Sequence, residues 1–192
     1  DEIDRINRIC RKSNIKMHLD GARLWNASVA SGVSLKEYSK YFDSVMVCFS
    51  KGLGCPAGSV LVGNKEFIDQ ARRNRKMMGG GMRQTGILAG AGLYALKHNL
   101  KRMAEDHKRA KRLAQIISQI SKIKIDLDSV QTNIVVFDIK QTGMRSEQAM
   151  EKLARKGLWL VSFGPTRLRA VTHLEVSDRG ITGAGEILRS VF

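Results

Sequence analysis

What most constrains this chain is a pair of short apolar segments, each cut off by a turn that carries one charged side chain. Ser44-Val45-Met46-Val47-Cys48-Phe49 is apolar at nearly every position and closes on Ser50-Lys51-Gly52. A run of that kind reads as a strand buried on both faces. Upstream, Ile15-Lys16-Met17-His18-Leu19 reads as another strand, stopped by Asp20-Gly21. Residues 22–31 between them read as a helix ending at Ser31-Gly32, where glycine suits the left-handed cap. Ser34 to Ser39 adds a short capped turn. One helical crossover therefore separates the two strands, and the chain is α/β.

The rest follows from periodicity. Ile3, Ile6, Ile9 and Cys10 give residues 2–13 a helical spacing. Gly58 to Gly63 reads as a third strand, residues 64–77 as a basic helix, and Gly79-Gly80-Gly81 as a flexible break. From Gln84 to about Ser121 the pattern is helical, as two helices meeting near His98-Asn99. Beyond it, Lys122 to Asp126, Asn133 to Phe137, Leu158 to Val161 and Leu168 to Val171 read as short strands. Helices are expected at 145–156 and 178–190, although Gly180, Gly183 and Gly185 make the last one unusually glycine-rich. The expected division is 1–97, part of a larger sheet domain, and 98–192, a long helix with a small α+β domain.

The net charge of +15 admits nucleic-acid binding, recognition of an anionic small molecule, or simply a solvated basic surface. The basic residues are spread out, with one cluster at Arg72-Arg73-Asn74-Arg75-Lys76. No nucleic-acid motif accompanies it, and aromatics at 6% leave few stacking platforms. The solvated surface is therefore preferred. Cys10, Cys48 and Cys55 form neither a disulfide framework nor a metal-ligand spacing, which suits a reducing cytoplasm. No apolar run reaches the roughly 20 residues of a membrane span. The opening Asp1-Glu2-Ile3-Asp4-Arg5 looks like the middle of a helix, so a longer protein is expected.

Alone, Asp20-Gly21 is a good turn and Lys51 a strand-end lysine that snorkels to solvent. Together they say more. A lysine at the end of a buried strand is expected to be partly desolvated, which favours the neutral, nucleophilic amine. Ser50, Gly52, Gly54, Ala57 and Gly58 leave room for a flat ring. A lysine to hold an aldehyde cofactor and a carboxylate to face a pyridine nitrogen are what pyridoxal 5'-phosphate (PLP) chemistry requires. Arg23 is placed to reach the ring hydroxyl.

Four ordered blocks then carry a family resemblance. His18-Leu19-Asp20-Gly21-Ala22-Arg23-Leu24-Trp25-Asn26-Ala27 and Ser50-Lys51-Gly52-Leu53-Gly54-Cys55-Pro56-Ala57-Gly58-Ser59 resemble the aspartate and lysine motifs of the threonine aldolases. Arg75 to Gln84 and Arg169-Ala170-Val171-Thr172-His173 look like two further signatures. The resemblance implies a fold-type I PLP enzyme, with 1–97 the C-terminal part of its large cofactor domain. It implies that Lys51 is the catalytic lysine and that Asp20, Arg23 and Arg83 hold the cofactor. Arg169 would hold the substrate α-carboxylate, for which its planar fork is suited. His18 and Lys76 are possible near-site residues, and neither His18 nor His173 is assigned a catalytic role. The implied reaction is retro-aldol cleavage of threonine or allo-threonine to glycine and an aldehyde. A homo-oligomer, dimer or tetramer, with sites at its interface is the implied assembly. The alternatives are another PLP-dependent amino-acid lyase or, less favoured, a basic nucleic-acid-binding module. The 192-residue chain alone is expected to be inactive, because the family's phosphate loop and ring-stacking histidine lie upstream of these blocks.

Overall fold

A computed structural model describes residues 2–192, which divide into two compact units at Lys101 and Arg102. The first contains α1 (Glu2–Lys12), β1 (His18–Gly21), α2 (Leu24–Ser31), α3 (Leu35–Ser39), β2 (Ser44–Cys48), β3 (Ser59–Gly63), α4 (Lys65–Met77) and α5 (Gly86–His98). Its sheet has the order β1-β2-β3, with β1 parallel and β3 antiparallel to β2.

β1 starts later than its apolar pattern predicts and runs through Asp20 and Gly21 instead of stopping at them. Residues 15–17 are engaged elsewhere: the Ile15 N–H donates to Cys10 O at the end of α1, and the Met17 N–H to Asp43 Oδ2. Gly21 pairs with Val47, and a Cβ there would lie 2.3 Å from the Met46 carbonyl oxygen. Only glycine lets the two backbones approach so closely. The two parallel strands thus deliver their carboxyl ends, and the turns that follow, to one edge of the sheet.

Gly32 adopts the left-handed cap at φ 72°, and Ser34 caps α3 by accepting the Glu37 N–H, both as the pattern predicts. At 79–81, expected as a flexible break, Gly79 and Gly80 cap the end of α4. Gly79 is left-handed (φ 77°), its N–H donates to Lys76 O, and the Gly80 N–H donates to Arg75 O. These bonds satisfy carbonyls that the end of α4 would otherwise leave unpaired.

The second unit contains α6 (Met103–Ser118), β4 (Ile134–Asp138), α7 (Ser146–Ala154), β5 (Val161–Ser162), β6 (Arg167–Val171) and α8 (Asp178–Val191). A turn at residues 99–102 separates α5 from α6. The antiparallel sheet runs β4-β6-β5. The expected strand at 122–126 is reduced to a single bridge, Lys124 to Asp138, and that at 158–161 to Val161–Ser162. Isoleucines at 123 and 125 suit a strand, but both pack into the core as loop residues. Val135, Phe137, Leu168 and Ala170 turn one sheet face into a core with Leu113, Ile117, Leu153 and Leu188. The glycine-rich α8 is explained at one position: a Cβ on Gly185 would lie 2.6 Å from Ile116 Cγ2 of α6. No helix among the described residues is long and apolar enough to cross a membrane.

Candidate active site

The first unit brings two predicted residues to its carboxyl edge. Asp20, the third residue of β1, is exposed, and its Oδ1 accepts the Ala22 N–H at 3.0 Å. This Asx turn fixes the carboxylate and leaves Oδ2 for a donor from outside. Lys51 lies three residues beyond β2, in a turn whose Gly54 N–H donates to Lys51 O. Its side chain is exposed and has no hydrogen bond or ion pair among the described residues. The expected desolvation is therefore not found, because Gly52 and Leu53 turn into the core and leave Lys51 outward.

The loop that carries Lys51 is fixed from several sides. The Trp25 indole N–H donates to Cys48 O at 3.1 Å, and its ring meets Phe49 edge-on with centroids 6.0 Å apart. Asn99 Nδ2 donates to the carbonyl of the fully buried Leu53 at 2.8 Å. The Cys55 N–H donates to Phe49 O at 3.1 Å, and its thiol to Ala91 O. Burial, with the neighbouring Cys48 adding to it, pushes the Cys55 thiol up from its ordinary value. Cys55 is thus a structural thiol and not a second nucleophile. Trp25 and Asn99 were not singled out in the sequence as positioning groups. Trp25 lies inside the aspartate block, so a signal existed; Asn99 offered only its place at a helix end.

The other candidates are more dispersed. Arg23 precedes α2 and is half-buried, and its side chain makes no hydrogen bond or ion pair among the described residues. His18 is exposed, and its Nδ1 is hydrogen-bonded to Ser44 Oγ at 2.8 Å where β1 and β2 begin their pairing. Lys76, in the last turn of α4, and Arg83, in the segment before α5, are exposed. Neither makes an ion pair among the described residues.

Arg169 belongs to the second unit. It sits on the sheet face opposite the core, paired with Val136 of β4 and Val161 of β5. Its Nε is buried without a hydrogen bond, and its guanidinium carbon is 5.9 Å from the Phe163 ring centroid. His173, exposed, accepts the Glu175 N–H at Nδ1 and closes a turn.

Known proteins similar to this chain identify its family. The family model described as beta-eliminating lyase matches residues 1–140. A probable low-specificity L-threonine aldolase of Arabidopsis thaliana is 42% identical over 177 residues, covering 92% of this chain and 50% of that protein. The low specificity L-threonine aldolase of Escherichia coli K12 is 45% identical over 167 residues, covering 87% and 48%. The chain thus spans about half the length of the curated relatives it matches. The solved structure of Leishmania major threonine aldolase has a TM-score of 0.75 at 16% identity, over 100% of this chain and 56% of that one. That likeness shows the fold, which is the fold-type I α/β architecture. With a family model matched over residues 1–140, the chain belongs to the beta-eliminating lyase family.

Proposed function

We propose that the whole protein containing this chain is a PLP-dependent lyase that cleaves threonine and related β-hydroxy amino acids to glycine and an aldehyde. The observation that carries the reading is the parallel pairing of β1 with β2, which sets Asp20 and Lys51 at one sheet edge. The names of relatives more than 40% identical support the substrate class.

These residues fit the cofactor. Lys51, exposed and unpaired, is the group that would hold it covalently, and Asp20 Oδ2 would face the protonated pyridine nitrogen. Arg23 would donate to the ring hydroxyl and Arg83 to the phosphate. When bound, PLP supplies an electron sink for the bond broken at the substrate's α-carbon. Arg169 would orient the substrate by its carboxylate through two parallel N–H···O bonds. Loss of the β-hydroxyl proton then lets the Cα–Cβ bond break, so that threonine yields acetaldehyde and, after reprotonation at the α-carbon, glycine.

The test is the visible absorbance of the whole protein with PLP, before and after adding threonine. Lys51→Ala is expected to abolish the absorbance band of the lysine-bound cofactor, leaving only that of free PLP, and to abolish glycine formation. Retention of either would sink the reading. The proposal extends to a cytoplasmic homo-oligomer, dimer or tetramer, with sites at its interface and a role in threonine breakdown and glycine supply. Exposed Met77, Met78, Met82 and Tyr94 support a buried assembly surface. Light scattering of the whole protein checks it, and a monomer would refute it.

A further inference from the structure

β6 carries two arginines on one face, and the sheet treats them differently. Arg167 stands opposite Asp138 of β4, and its Nε lies 3.8 Å from that carboxylate. Arg169, two residues on and so on the same face, stands between Val136 and Val161. No carboxylate among the described residues pairs with it. A buried N–H without a partner has given up its bond to water and gained none in return. The contact that accompanies this unpaired group is the Phe163 ring.

Phe163 is itself held in place. Its N–H donates to Arg167 O at 2.9 Å, closing the β5–β6 hairpin, and Gly164 takes φ 130° in the turn. Ser162 Oγ donates to the buried Ser146 Oγ at 3.0 Å, and the Ser146 N–H donates to Pro165 O at 2.9 Å. Phe163 remains 52% exposed although its backbone is bonded into the turn. A large exposed aromatic in a fixed hairpin fits a role toward a neighbouring group better than a role in the core.

We propose that Phe163 is a positioning residue for Arg169. Its π face and the two valines fix the guanidinium without using its terminal N–H groups, which stay available for the two oxygens of a substrate carboxylate. A carboxylate beside Arg169 would instead compete with the substrate for the guanidinium charge. An aromatic ring attracts the cation and accepts no bidentate bond. The inference deepens the proposed function and rests on its assignment of Arg169.

The experiment uses the PLP-loaded whole protein and compares Phe163→Leu, Phe163→Tyr and Arg169→Gln. Binding of glycine and of glycinamide is measured by titration, together with kcat and KM for threonine. Phe163→Leu is expected to weaken glycine binding and raise KM about tenfold with kcat unchanged. Glycinamide binding should not move, and Phe163→Tyr should restore the native values. Equal weakening of glycine and glycinamide, or no weakening, would overturn the inference while leaving the Arg169 assignment intact. Unchanged glycine binding in Arg169→Gln would overturn that assignment itself, and this inference with it. The 15N-edited signal of the Arg169 Nε–H reads the placement without any activity. It should carry a ring-current shift that Phe163→Leu removes, and its persistence in that variant would count against the inference.

Discussion

The two units divide the work of the chain unequally. The second is built around one continuous core, from Ala110 through Phe137 to Leu188, with helices covering one sheet face. The first has a sheet with little cover: Val60, Leu61 and Val62 of β3 are exposed, as are Ile87, Leu93 and Tyr94 of α5. Of the largest fully buried side chains among the described residues, only Leu53 and Asn26 belong to it. Yet the proposed Asp20, Arg23, Lys51 and Arg83 all lie in this open unit, and the proposed Arg169 lies in the closed one. The difference teaches that in the first unit packing is concentrated on the Lys51 loop, through Trp25, Leu53 and Asn99. Its sheet surface is left as an apolar face of the kind that marks an interaction site.

The largest effect is expected in the closed core. Phe137→Ala should destabilise the second unit by about 3–5 kcal/mol. Val62→Ala on the exposed strand should stay within about 0.5 kcal/mol. Hydrogen exchange of amides in each unit of the whole protein reads the two separately, and comparable losses would break the distinction. Glycine replacements sharpen it. Gly185→Ala forces a methyl against Ile116 and should cost about 1–3 kcal/mol. In the same helix Gly183 has open space, and Gly183→Ala should stabilise by up to about 1 kcal/mol. Denaturant unfolding of the two variants checks the opposite signs.

A smaller effect concerns the Lys51 loop. Trp25→Phe keeps the ring but removes the donor to the buried Cys48 carbonyl, at a cost of about 1 kcal/mol. Faster exchange confined to residues near Lys51, with α6 to α8 unaffected, is the expected result. The smallest effect is pH dependence. Burial depresses the His107 imidazole below its ordinary 6.5, with Asp106 opposing the shift. The unfolded chain therefore binds the proton first, and this contribution to the second unit is complete above 6.5 and lost as pH falls below it. In the first unit the Met17 N–H, and then Lys16, hold the Asp43 carboxyl below its usual 3.8. Its contribution persists until the pH drops through that range. As the pH falls below 6.5, and before it reaches the Asp43 range, the second unit should loosen first, and His107→Gln should flatten that slope. Parallel loosening of both units would contradict the assignment.

Much of this was legible in the residues. The apolar run at 44–49, the caps at Gly32 and Ser34, and the motif blocks around Asp20 and Lys51 are local signals, and local signals survive without a fold. Failures came where tertiary partners intervene. Residues 122–126 have strand composition but meet Asp138 at a single bridge, since the core takes Ile123 and Ile125 from a loop. The cap made by Gly79 and Gly80 was not foreseen, because composition does not show which carbonyls need capping. Lys51 was expected to be partly desolvated, and strand burial upstream says nothing of where the following turn points.

By itself, then, the sequence determined the alternation of elements, the aspartate and lysine that mark the family, and the arginines available for anions. These follow from side-chain chemistry and periodicity along the chain. Only the tertiary structure decided that β1 and β2 run parallel with Asp20 opposite Met46, and that Arg167 meets a carboxylate while Arg169 meets valines and Phe163. Register and cross-strand pairing join residues far apart in sequence. Which of two like charges finds a partner is settled by packing and not by composition.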